Sequence, residues 1–283
     1  MMLHAAHILC LGSPTSAVGA QAAHLACRLG ATLHVMPPPP SDPSATEPRG
    51  MAPVSVEGTG VPTCIVETQP DSVSGVLQYV TDADIDLVVA DTPLDRGPVP
   101  PLATDASRAL ARRLDCPIFV VEQQGAPDAI RRLLVPTDLS ARALRAFRHA
   151  VALARLYDAT IDVLHVVESL PYVALTPTDR LSLGATTLSE RRGRRRLRAF
   201  LQEGEAADIP VRSHITHGDA ADQISRFADQ ADVDLMVLSA HGRDEAEGPF
   251  GAVGTRVLGR VTCPLFLLRA SGLSLLAPPD EAA

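Results

Sequence analysis

Four short stretches in the second half of the chain hold the residues whose types and spacing could do chemistry. Pro136-Thr137-Asp138-Leu139-Ser140 sets a carboxylate between hydroxyls at the end of an apolar run, and His165-Val166-Val167 ends a second. Ser239-Ala240-His241-Gly242-Arg243 ends a third, and Gly251-Ala252-Val253-Gly254-Thr255 opens a stretch with helical spacing. A glycine-bearing loop entering a helix offers backbone N–H groups, and the helix dipole there favours negative charge. The chemistry on offer is recognition of an anion such as phosphate. Arg243 would add a cation, and His241 is the one histidine expected near the ligand.

Other chemistries are excluded by what the sequence lacks. All 25 basic residues are arginine, so a Walker-type phosphate-loop lysine, a kinase-type lysine and a Schiff-base lysine are ruled out together. No nucleophile-elbow motif is present, and the nine histidines show no metal-ligand spacing. His214 and His217 stand three apart near a strand end, on opposite faces of an extended segment, and cannot chelate together.

The elements that must position these residues alternate. Residues 132–136 form a short apolar run suited to a strand buried on both faces. Ser140 can cap the next helix, where Leu144, Phe147, Val151 and Ala154 recur at helical spacing. Residues 160–167, 211–216, 235–239 and 265–268 read as further strands. Residues 190–203, 221–231 and 251–259 read as helices between them. Such alternation implies a parallel sheet covered on both faces.

The pattern is written twice. Asp84-Ile85-Asp86-Leu87-Val88 returns as Asp232-Val233-Asp234-Leu235-Met236, and Cys116-Pro117-Ile118-Phe119 returns as Cys263-Pro264-Leu265-Phe266, at offsets of 148 and 147. Ala31-Thr32-Leu33 matches Ala159-Thr160-Ile161 at 128, and Ile8-Leu9-Cys10 matches Leu133-Leu134-Val135 at 125. The second copy therefore carries an extra segment, within 169–204. In the first copy that place is taken by 36–60, which holds seven prolines and no helical period, and is expected to be a mobile linker. The tail from 271 to 283 reads as unstructured. The expected boundaries are 1–125 and 130–270, in keeping with about two domains for 283 residues.

Residues 1–130 hold 6 Arg against 14 acids, a net of −8, while residues 131–283 hold 19 of each. With six Phe, three Tyr and no Trp, this surface has neither the field nor the stacking platforms of a nucleic-acid binder. Six arginines between 191 and 198 are the exception, and read as a solvated face ion-paired with Glu190, Glu203 and Glu205. Five widely spaced cysteines without a C-x-x-C pair read as reduced, buried apolar side chains in the cytoplasm. No basic n-region precedes the first apolar run, and no stretch is apolar enough to span a bilayer, so neither secretion nor a membrane is expected.

These residues resemble a family. Pro-Thr-Asp-Leu-Ser at 136–140, His165-Val166, Asp234-Leu235 through His241-Gly242-Arg243, and Cys263-Pro264-Leu265 look like a universal stress protein domain. The likeness covers 130–269 and is weaker over 1–122, so the whole chain is similar to a tandem universal stress protein. The resemblance implies two doubly wound five-stranded α/β domains, paired through their last strands as an intramolecular pseudo-dimer, with further homodimerisation open.

It also implies a relaxed phosphate loop, G-x2-G-x9-G-[ST], in a site for ATP or another adenine nucleotide with accompanying Mg²⁺. Carried over, the site comprises Pro136, Thr137, Asp138, Val166, Ser239, Gly242, Arg243, Gly251, Ala252 and Val253. Asp138 would reach the nucleotide and the Val166 backbone the adenine. Ser239 stands where the first motif glycine belongs. If Gly251-Ala252 is the terminal pair, the hydroxyl is lost; if Gly254-Thr255 is, the hydroxyl is kept and the spacer lengthens. On residue type alone Asp138 also reads as a helix cap or turn residue. In the first copy Ser13 replaces Asp138, and Pro98, Pro100 and Pro101 fill the loop without N–H groups, so no nucleotide is expected there. The implied function is non-catalytic: a stress-response protein whose nucleotide regulates a protein partner. A nucleotide-free interaction pseudo-dimer and a weak hydrolase are the alternatives.

Overall fold

Ser16 and Ser140 do the same job in the two copies. Each sits in extended backbone, and its hydroxyl accepts from the N–H three residues on, Gly19 at 3.3 Å and Ala143 at 3.2 Å. Each thus satisfies one of the open donors of a helix start. In the computed structural model, which describes residues 2–36, 61–66, 73–91, 113–121, 130–167, 183–240, 251–269 and 272–276, these caps begin α1 (Ala17–Leu29) and α3 (Ala141–Tyr157).

The first half supplies β1 (His7–Leu11), β2 (Thr32–Met36), β3 (Thr63–Ile65), α2 (Val73–Asp82), β4 (Leu87–Asp91) and β5 (Ile118–Val121). The second supplies β6 (Arg132–Thr137), β7 (Thr160–Val167), α4 (Leu183–Glu203), β8 (Val211–His217), α5 (Ala220–Gln230), β9 (Leu235–Ala240), α6 (Gly251–Leu258) and β10 (Leu265–Arg269). All ten strands join one sheet in the order β3-β2-β1-β4-β5-β10-β9-β6-β7-β8. Each half has the same internal order and parallel pairing, which makes the doubly wound α/β reading correct.

The repeated Asp-x-Asp has a physical cause. Asp84 and Asp232 both take φ 47, a left-handed turn that aspartate tolerates. The second aspartate of each pair then reaches sideways to the start of the central strand. Asp86 accepts from the Ala6 and His7 N–H groups at 2.7 and 3.0 Å, and Asp234 from Arg131 and Arg132 at 2.8 and 2.9 Å.

The halves meet where β5 and β10 pair antiparallel, Phe119 opposite Phe266, so the terminal strands do pair within the chain. Phe119 and Phe266 are fully buried and meet edge to face at 6.1 Å. Side chains alternate, so Phe119, Val121, Phe266 and Leu268 join one core layer, and Ile118, Val120, Leu265 and Leu267 the other. Both layers therefore run across the seam. On one face, Arg28 lies over the Tyr157 ring at 5.2 Å and donates to the Leu156 carbonyl.

Several expectations need correction. The second helix of the second copy begins at Leu183, well before residue 190. Residues 272–276, expected to be unstructured, form a strap. Leu275 is 3% exposed, its carbonyl accepts from His4 N–H at 2.7 Å, and Leu276 bridges to Leu3. Arg145 anchors the strap through the carbonyls of Arg269, Gly272 and Leu273, an interaction no local period announces. Cys10 and Cys116 are buried, and burial pushes both thiols up to about 12, but Cys27 and Cys64 are exposed. Of the proline-rich stretch 36–60, Met36 ends β2 and the remainder lies outside the described residues.

His149 ties the strap to α3. Its Nδ1–H donates to the Arg145 carbonyl at 2.8 Å, leaving Nε2 to accept from the Leu275 N–H at 3.3 Å. Burial holds the ring neutral and lowers its pKa from 6.5 to about 4. Between those values the unfolded chain binds a proton that the folded chain does not. Stability should therefore fall as pH drops from about 6.5 to 4, by on the order of 3 kcal/mol from this group, and level off below. Urea unfolding across that range checks it: His149→Gln should flatten the slope relative to the parent.

Candidate functional site

In the second half the chain runs β6 to β7 to β8 in one direction and then returns to lay β9 on the other side of β6. The carboxyl ends of β6 and β9 are thus the topological switch point, where open parallel sheets form their crevice. A cavity of about 890 Å³ lies there. Its size suits a drug-sized or nucleotide-sized ligand.

The floor and one wall come from strand ends. Pro136, Thr137 and Asp138 leave β6, Val166 lies near the end of β7, and Ser239 near the end of β9, and all five line the cavity. Two short bonds shape the turn after β6. Leu139 N–H donates to Thr137 Oγ1 at 2.9 Å, and Ser140 N–H donates to Asp138 Oδ1 at 2.9 Å. Leu139 between them takes φ 62. Asp138 is therefore an aspartate turn, not the helix cap, which is Ser140. His165 Nδ1–H donates to the Thr137 carbonyl at 2.9 Å and fixes that strand end against β7.

The opposite wall is the start of α6. Gly251, Ala252, Val253 and Gly254 line the cavity, while Thr255 is exposed and does not. Gly251 takes φ 67, a conformation open to glycine at little cost. A bidentate ion pair holds α6 in place: Arg256 meets both oxygens of Asp219, the cap of α5, at 2.8 and 2.9 Å. That guanidinium lowers the Asp219 carboxyl below its usual range. Arg260 adds a contact to Asp222. The start of α5 puts Ala220 and Ile224 on the cavity wall as well.

Of the ten sequence-derived residues, the structure brings eight together; Gly242 and Arg243, with His241, lie outside the described residues. Sequence reasoning missed Arg142, which lines the cavity from the first turn of α3. No motif marked it. Ala220 and Ile224 reach the site through α5 packing, which gives no motif. Among the described residues no group of three metal-ligating side chains occurs.

In the first half the matching strand end carries Ser13, whose Oγ accepts weakly from Thr15 N–H at 3.4 Å. The turn there is one residue longer before its cap, Ser16. The loop bearing Pro98, Pro100 and Pro101 lies outside the described residues.

Comparison with known proteins matches residues 129–269, the half that holds the cavity, to the universal stress protein family. Residues 129–269 are a universal stress protein domain. A universal stress protein of Methanocaldococcus jannaschii is 27% identical over 140 residues, 49% of this chain and 82% of that protein. A homologue from Coxiella burnetii is 26% identical over 137 residues, 47% of this chain and 92% of its own length. Among solved structures, a protein of unknown function from Pseudomonas aeruginosa PAO1 covers 94% of this chain and 92% of its own, with TM-score 0.70 and 17% identity. A universal stress protein from Archaeoglobus fulgidus covers 94% of this chain and 96% of its own, with TM-score 0.62 and 14% identity. Those likenesses extend the shared fold across both halves. Within the universal stress protein domain, Gly251→Ala forces a side chain into left-handed backbone. It should cost about 1–2 kcal/mol, read as a lower urea midpoint.

Proposed function

We propose that the universal stress protein domain binds an adenine nucleotide of the ATP type in the cavity at the ends of β6, β7 and β9. The observation that carries this reading is the meeting of Asp138 and the α6 entrance across one cavity at the switch point. Asp138 presents its carboxylate at the strand end to an amino or hydroxyl group, and the Val166 backbone is the edge for adenine. Phosphates belong over Gly251, Ala252 and Val253, where the helix start favours negative charge. Gly242 and Arg243 complete that side in our reading, with Mg²⁺ offsetting charge that no lysine is present to meet. Ala252 offers no hydroxyl, so affinity is lower than in a site with the full family motif.

The role is binding rather than turnover: the nucleotide biases a state recognised by a protein partner. We assign residues 1–125 to a second, degenerate domain of the same type that holds no nucleotide, and the protein to the cytoplasm. One feature favours a nucleotide-free pseudo-dimer instead, the continuous seam between halves, which would stand without any ligand.

Calorimetry with ATP separates the two. Asp138→Ala should weaken binding about tenfold, the worth of one hydrogen bond to a charged group. Ser13→Ala should leave it unchanged. Absence of binding by the parent protein, or an equal loss in both variants, supports the nucleotide-free reading.

A further inference from the structure

Arg191, Arg192, Arg194, Arg195, Arg196 and Arg198 occupy two turns of α4, and every one of them is exposed. Gly193, Leu197 and Phe200 are buried, with Phe200 stacked on Phe147 at 5.4 Å. At 3.6 residues per turn those three mark the inward side, and the arginines fill the outward arc. Positions 191 and 195, 192 and 196, and 194 and 198 are like-charged pairs one turn apart, which oppose the helix they sit on.

The expected pairing with Glu203 and Glu205 is not made, and the Glu190 side chain lies outside the described residues. None of the six forms an ion pair with a described residue, and Glu203 and Glu205 lie at and beyond the helix end. Arginines elsewhere are committed: Arg132 to Asp162 at 2.6 Å, Arg155 to Asp208 at 2.6 Å, Arg256 to Asp219 at 2.8 Å. Nearer α4, Arg148 is spent on the Glu203 carbonyl at 3.0 Å. The face is thus a local excess of positive charge on a chain of net charge −8.

We infer that this face docks a short acidic segment of a partner protein. A long polyanion or a charged bilayer presents its field to the whole molecule, and the rest of this acidic chain would be repelled. A short carboxylate-rich peptide engages the arginine stretch itself, so most of the chain's acidic groups lie too far away to oppose it. The other exposed residues from Arg191 to the helix end are Ala199, Gln202 and Glu203, so the face has no aromatic ring for base stacking and no large apolar side chain to enter lipid. Arginine suits carboxylates through its two-pronged donor geometry.

Fluorescence anisotropy on the full chain tests this, with a labelled polyglutamate peptide about as long as the arginine stretch. The parent should bind it at low ionic strength, and binding should weaken about tenfold when Arg191, Arg194, Arg195 and Arg198 are all changed to Gln. Changing the same four to Lys should retain most of the affinity. Arg195→Glu alone, which leaves the buried side untouched, keeps the test valid should the fourfold variant fold poorly. No binding by the parent overturns the proposal, as does equal binding by the Gln variant. Tighter capture of a single-stranded oligonucleotide of equal charge, or of phosphatidylserine vesicles, overturns it in favour of those partners.

Discussion

The antiparallel contact between β5 and β10 is the constraint on which the rest of the structure depends. Each half ends in a strand whose four core side chains, such as Ile118 to Val121, are nearly all inaccessible to solvent. Left alone, such a strand would expose a row of unpaired backbone groups and an apolar edge. Pairing the two edges removes both liabilities at once. It also lets the two core layers continue without a break from one half to the other. Burial of Phe119 and Phe266 contributes about 1.5–3 kcal/mol each, before the neighbouring aliphatics are considered.

That contact also sets direction. Strands are parallel within a half, but β5 and β10 oppose each other, so the strands of the two halves point opposite ways. The carboxyl ends of β1 and β2 therefore open at the other edge of the sheet from those of β6 and β7. The turn at Ser13 cannot share a cavity with the turn at Asp138. The seam is reinforced from outside the sheet by the 272–276 strap, which crosses from Arg145 and His149 to Leu3, His4 and Asp115.

Much of this was legible in the residues. The apolar runs gave every strand of the second half, the Ser140 cap marked its first helix, and the resemblance to a tandem universal stress protein implied the pairing of the apolar last strands. What could not be read depended on tertiary partners. The strap is too short to show a period, and its order comes from the arginine and histidine of a helix more than a hundred residues earlier. The fate of Asp138 was ambiguous because aspartate serves caps and turns alike; only the hydrogen bond to Ser140 N–H decides between them. The arginine face read as ion-paired because charges of both signs stand close in the sequence, whereas Glu203 and Glu205 make no ion pair with it.

The two turns after the central strands show how little separates a retained site from a lost one. Counted from the strand starts at His7 and Arg132, Ser13 and Asp138 are equivalent, and each side chain accepts from the N–H two residues on. Asp138 makes that bond at 2.9 Å with one oxygen of a carboxylate. Ser13 makes it at 3.4 Å, and its hydroxyl also shares a 3.0 Å contact with Thr15. The extra residue before Ser16 adds a hydroxyl to the turn while removing the charge. Across the cavity, the last turn of α6 is tied to the start of α5 by Arg256 on Asp219, so this arginine is spent on holding together the helices that wall the site. In a chain without lysine, the positive field in this cavity comes from the helix starts and from Arg142, which lines it.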